Sequence, residues 1–104
     1  MAYKVIVTKP AEQDIEQAFY FIKEHSSPAA NAWLDAIQHA IESLREMPNR
    51  AAVISENTGI SFEYRNLIHR SHRIVFRVDE ISQTVFVVRV YHSARAPLDP
   101  GNVE

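Results

Sequence analysis

The sequence lacks cysteine and is poor in glycine, and each shortage excludes a class of chemistry. Without cysteine the chain has no disulfide, no thiolate nucleophile and no cysteine-rich zinc site. Its two glycines, Gly59 and Gly101, are too few for a glycine-rich loop that cradles phosphate. No glycines of a nucleophile elbow flank Ser26, Ser27 or Ser93, so we do not expect a serine hydrolase triad.

Long apolar runs are also missing. No stretch approaches the roughly 20 apolar residues of a membrane-spanning helix, so we expect no membrane association and a cytoplasmic location. The composition, 46% hydrophobic and 23% charged, is typical of a globular protein, and 104 residues fit one domain spanning 1–104. We predict no cofactor and no metal, because His69 and His72, three residues apart beside a strand, have no evident third ligand.

Charge is distributed unevenly along the chain. The formal net charge is −2, yet residues 60–95 hold six arginines against three acids. Arginine pairs with carboxylate or phosphate through two parallel hydrogen bonds. This segment therefore presents either a surface for phosphate or an acidic partner, or an ordinary salt-bridged surface. The arginines are Arg65, Arg70, Arg73, Arg77, Arg89 and Arg95, and the acids are Glu63, Asp79 and Glu80.

Hydrophobic periodicity predicts one strand followed by two helices. Residues 3–8 form a short β-rich run. A first helix begins around Pro10, where the missing N–H costs nothing, and ends near Lys23. A second helix has Ser27 as its N-cap and ends at Pro48. Because the link between them is so short, the two helices form an antiparallel hairpin.

Three strands are predicted in the second half of the chain. They lie at 63–68, 73–78 and 84–92, and the last is rich enough in β-forming residues to be internal to a sheet. The preceding loop includes a short irregular strand at 52–55, and prolines indicate an extended tail at 96–104. The class is therefore α+β, in the order β-α-α-β-β-β. A mostly antiparallel sheet packs one face on the helical hairpin and leaves the other to solvent or a partner.

The last strands also resemble a known family. The segments YRNL (64–67), HRIVFRVD (72–79) and VFVVRVYHSAR (85–95) are similar to the final strands of RelE/ParE superfamily toxins. The family pattern is an arginine-bearing strand, a short acidic turn and an apolar strand ending in R-v-x-H-x-x-R. The element order agrees over nearly the whole chain. The resemblance implies the toxin of a type II toxin–antitoxin system, neutralised by a cognate antitoxin, with a heterotetramer as one assembly.

The two branches of the superfamily imply different activities. In the ParE branch the toxin inhibits DNA gyrase and is not an enzyme, whereas RelE-like toxins cleave mRNA on the ribosome. We favour the ParE branch because Ser93 stands where the nucleases place a second arginine or a tyrosine, and Asp99 stands near an expected tyrosine. A RelE-like, ribosome-dependent mRNA endonuclease is the alternative. A non-toxic homologue that only binds an antitoxin is a third.

The resemblance also supplies candidate site residues. In a RelE-like nuclease, Arg73 would contact the scissile phosphate and His92 would be the catalytic acid or base; otherwise His92 is a surface histidine. Because side chains alternate along strands, we expect Arg73 and Arg89 to share the exposed sheet face, so that replacing both leaves the melting temperature unchanged. The whole binding face for antitoxin or target would comprise Arg65, Arg73, Arg77, Arg89 and Arg95.

Overall fold

Two helices pack against one face of a five-stranded mixed sheet in the computed structural model, which describes residues 2–53 and 63–92. None of the helices in these two ranges is long and apolar enough to cross a membrane. The predicted α+β class and helical hairpin are confirmed. The elements are β1 (Lys4–Val7), α1 (Lys9–Lys23), α2 (Ser27–Glu42), two 3₁₀ turns (Ser43–Arg45 and Pro48–Arg50), β2 (Ala52–Val53), β3 (Arg65–His69), β4 (His72–Asp79) and β5 (Thr84–His92).

The strand order in the sheet is β1-β5-β4-β3-β2. Neighbouring strands are antiparallel except β1, which runs parallel to β5 and pairs only with its first half, residues 84–87. β5 is internal, as its run of β-forming residues predicts. Beyond Val87 no described strand lies beside the outer edge of β5, and α1 takes that place.

A β-bulge between β4 and β5 changes which residues of β5 face the helices. Val75 is paired with Arg89 and Phe76 with Val87, so Val88 is the extra residue. The bulge moves the side-chain alternation of β5 by one position. As a result Val87 and Val90 both pack in the helix-facing core, and Val88 packs on the other face.

The start of α2 corrects the predicted cap by one residue. Ser26, rather than Ser27, is the N-cap, and its hydroxyl accepts a hydrogen bond from the Ala29 N–H at 3.2 Å. Pro28 still falls in the first turn, where no backbone donor is required. The start of α1, with Pro10 in its first turn, agrees with the prediction.

The end of α2 also differs from the prediction. The helix ends at Glu42, not at Pro48, and two 3₁₀ turns follow. Met47 adopts a left-handed conformation (φ 48°) and is 73% exposed, so it does not continue the buried helix face. Pro48 disfavours right-handed helical geometry in Met47, so the helix cannot continue through that residue.

The sheet separates two apolar clusters. The helix-facing core joins residues of both helices to Ile74, Phe76 and Val87, with Trp33 packed against it half-buried. On the opposite face Tyr64, Val75 and Val88 are almost completely buried. The expectation that this second face is left to solvent or a partner therefore does not hold for its centre.

Candidate functional site

A groove of about 550 Å³ lies between α1 and the second half of β5. It exists because β1 stops pairing at Val87, so a helix rather than a strand runs beside the rest of β5. Phe21 of α1 gives the groove an apolar side chain that is 66% exposed. The lining residues are Asp14, Gln17, Ala18 and Phe21 of α1, His72 of β4, and Val90, Tyr91 and His92 of β5.

Asp14 joins α1 to the edge of β5. Its carboxylate accepts hydrogen bonds from Arg89 Nε at 2.7 Å and Nη2 at 2.9 Å, and from the Val90 N–H at 2.9 Å. This backbone N–H lies on the stretch of β5 that β1 does not cover, so Asp14 satisfies a donor of the sheet edge. The hydrogen bonds to Asp14 raise the pKa of the Arg89 guanidinium.

The position of Arg89 contradicts the prediction that it lies free on the exposed sheet face. Its side chain is 20% exposed, and its guanidinium also stacks on the Tyr91 ring at 4.7 Å from the centroid. Arg89 is the register partner of Val75, which packs on the side away from the helices. Its side chain turns towards α1 at the edge of β5, where Asp14 binds it. Arg89 is therefore part of the contact between α1 and the sheet.

The other predicted arginines do not form one face either. Arg73 and Arg77 project on the side opposite the helices: Arg73 Nε donates to Asn66 Oδ1 at 3.1 Å, and Arg77 stacks on Phe86 at 4.3 Å. Arg65, the cross-strand partner of Phe76, projects on the helix side instead. Its Nη1 donates to the Ala51 carbonyl at 2.7 Å and so holds the segment before β2. Arg95 lies outside the described residues.

Three histidines form a row across three adjacent strands, which sequence reasoning missed. His69 of β3 is paired in register with His72 of β4, and His72 with His92 of β5. Their shared register and the contact of His72 with Trp33 of α2 place them on the helix side of the sheet. The sequence shows His69 and His72 on either side of a two-residue turn, but only the β4–β5 register adds His92.

The row is tightly packed at its centre. Trp33 Nε1 donates to His72 Nδ1 at 3.3 Å, and the His72 and His92 rings are 5.2 Å apart. His72 is 7% exposed, whereas His92 is exposed at the groove. Among residues 2–53 and 63–92, no three potential ligands converge on a metal position.

The two candidate catalytic residues are on opposite sides of the sheet. Arg73 is the register partner of Tyr91, which packs in the cluster away from the helices. His92 is the partner of His72, which faces α2. The structure thus brings His92 together with His69 and His72, and not with Arg73.

A second polar cluster joins three segments at the other end of the sheet. The Tyr3 hydroxyl donates to Glu80 Oε1 at 2.6 Å, and Asn49 Nδ2 donates to Glu80 Oε2 at 2.8 Å. These two bonds lower the pKa of Glu80, and the bond to Glu80 raises the pKa of Tyr3. The cluster connects the start of β1, the second 3₁₀ turn and the β4–β5 turn.

The sequence and the fold are both similar to those of known toxin–antitoxin proteins. Residues 5–97 match the family model described as the ParE toxin of the type II toxin–antitoxin system, parDE. A solved structure of a chromosomal ParDE toxin–antitoxin system from P. aeruginosa is similar with a TM-score of 0.68 and 16% sequence identity, over 88% of this chain and 96% of that chain. The RelBE2 toxin–antitoxin complex from Mycobacterium tuberculosis is similar with a TM-score of 0.64 and 22% identity, over 88% and 99%. No curated protein matches the chain in sequence.

Proposed function

Since the chain belongs to the ParE toxin family of type II toxin–antitoxin systems, we propose that it stops growth by binding DNA gyrase. A cognate antitoxin neutralises it; the two similar solved structures, both of toxin–antitoxin systems, support such a partner. Gyrase is the target that the ParE resemblance implies. The proposed mode of action is binding and not hydrolysis.

The observation that carries this proposal is the separation of Arg73 from His92. A nuclease needs its phosphate-binding cation and its acid or base within reach of one scissile phosphate. Arg73 projects from the face away from the helices, and His92 lies in the groove on the helix side. The sheet therefore stands between the two groups on which a RelE-like mechanism would depend.

The arginine face for the antitoxin or the target is smaller than the sequence suggested. Arg73 and Arg77 share the side away from the helices, while Arg89 is held by Asp14. We therefore assign the binding role to Arg73 and Arg77. Truncating one partner of a charged pair that is buried at an interface costs about 2–5 kcal/mol of binding free energy.

Induction in a bacterial host tests the activity. We expect growth to stop on overproduction of the chain and to resume when the antitoxin encoded beside it is co-expressed. Plasmid supercoiling and the DNA-damage response should change before bulk mRNA is cleaved. Cleavage within codons at the ribosome, mapped by primer extension, would contradict gyrase as the target and support the RelE-like alternative.

Variants at the two candidate catalytic residues separate the alternatives further. His92→Gln should leave growth inhibition intact in a gyrase-binding toxin, whereas an endonuclease that uses His92 would lose it. Arg73→Ala with Arg77→Ala should weaken antitoxin binding in a titration. A folded chain that binds the antitoxin without affecting growth would identify the third possibility, a non-toxic homologue.

A further inference from the structure

The row of three histidines has a feature that none of the proposed binding roles uses. Trp33 of α2, half-buried against the core, donates its indole N–H to His72 Nδ1 at 3.3 Å. An indole nitrogen is a donor only, so the histidine nitrogen that faces it must be the acceptor. His72 is therefore held neutral, with its ring proton on Nε2.

Protonation of His72 is incompatible with this contact. The added proton would sit on Nδ1, pointing at the Trp33 N–H, and two donors would face each other. The ring is 7% exposed, so water cannot readily compensate the lost hydrogen bond. Among the described residues, the Ser71 hydroxyl also lies 3.1 Å from this nitrogen.

The sheet register places two further histidines beside His72. His69 lies beside it on β3 and His92 beside it on β5, with the His92 ring centroid 5.2 Å away. The His69 Nε2 atom is itself buried with no hydrogen-bond partner among the described residues. The described carboxylate that lines the same groove, Asp14 on α1, is already bonded to Arg89 and the Val90 N–H.

We propose that the Trp33–His72 contact is an acid-sensitive latch between α2 and the sheet, which opens when His72 takes up a proton. Opening separates Trp33 from the start of β4 and alters the α1–β5 groove, which His72 and His92 line. The latch belongs to the fold and does not depend on which target the toxin binds. Histidines are the side chains that change charge just below neutral pH.

Tryptophan fluorescence tests the latch directly, because Trp33 is the only tryptophan. Because the Trp33 contact disfavours the added proton, we expect the emission of the folded chain to change well below about pH 6.5, the ordinary titration value of histidine. His72→Asn keeps an acceptor near Trp33 but does not titrate, so the transition should disappear. His39→Asn, an exposed histidine on the same helix as Trp33, is the matched control and should retain it.

Unfolding by urea gives an independent readout. A histidine that stays neutral in the folded state but titrates near 6.5 when unfolded raises the unfolding equilibrium constant about tenfold between pH 7.5 and 5.5. The wild-type chain should show this additional rise relative to His72→Asn. An equal pH dependence of the two proteins would overturn the proposal.

A second measurement covers the case in which His72→Asn fails to fold. The ring resonance of His72 can be followed by NMR in the wild type and in Trp33→Phe, which removes the donor. We expect His72 to gain its proton at a higher pH in Trp33→Phe than in the wild type. The same midpoint in both proteins, near the value of an unfolded histidine, would overturn the latch.

Discussion

Arg89 and Asp14 form an ion pair that is largely shielded from water, with side chains 20% and 14% exposed. The two side chains share two hydrogen bonds, and Asp14 binds the Val90 N–H in addition. Removing either partner leaves a charged group at the α1–β5 contact without the other. Hydrogen bonds to charged groups of this kind contribute about 1.5–3 kcal/mol each to stability.

We therefore expect Arg89→Ala to lower the free energy of unfolding by about 2 kcal/mol, measured by urea denaturation. Arg45→Ala is the matched control, because Arg45 pairs with Glu42 on the surface, where ion pairs contribute less than about 1 kcal/mol. Equal stability of the two variants would mean that the Asp14 pair contributes nothing measurable. It would also restore the original expectation that Arg89 is dispensable for folding.

The start of α2 offers a test at the scale of a single element. Ser26 has an extended backbone and its hydroxyl binds the Ala29 N–H, whereas Ser27 is already the first helical residue. Ser26→Ala should lower the free energy of unfolding by about 1 kcal/mol, because a first-turn N–H loses its acceptor. Ser27→Ala, the adjacent control, should change it little; the opposite ranking would return the cap to Ser27.

The elements themselves were largely predictable from local patterns. β5 and the start of α1 follow from β-forming runs and from Pro10, signals that act within a few residues. The break in α2 after Glu42 was not predicted, because apolar spacing continues through Leu44 and Met47. In the structure Met47, just before Pro48, is left-handed and exposed, so it does not pack on the core although the apolar spacing includes it.

The candidate site was less predictable than the fold because it depends on register. The extra residue Val88 shifts the alternation of β5, so that Arg89 is paired with Val75 and Val90 packs in the helix-facing core. The bonds from Arg89 to Asp14 depend in addition on the position of α1 beside the edge of β5. A bulge has no clear signal in a run of β-forming residues. The row of His69, His72 and His92 depends on pairing across two hairpins in the same way.

At the scale of the whole molecule, the Tyr3–Glu80–Asn49 cluster joins segments that are far apart in sequence. Tyr3 and Glu80 are separated by 77 positions, and Asn49 and Glu80 by 31. The bonds from Tyr3 and Asn49 favour the ionised carboxylate and lower the pKa of Glu80 in the folded state. A lowered folded-state pKa contributes stability above the unfolded value, and this contribution is lost as the pH falls through the folded-state pKa.

We expect the wild-type chain to be more stable than Glu80→Gln at pH 7 and to lose this advantage as the pH drops below about 4.3, where an unfolded glutamate titrates. Tyr3→Phe should show a similar loss, since it removes the hydroxyl that is the largest cause of the lowered pKa. Glu46→Gln, a carboxylate outside the cluster, is the control. Urea unfolding of the four proteins at several pH values measures the effect. An advantage that persists unchanged into acid would mean that Glu80 acts through packing and not through its charge.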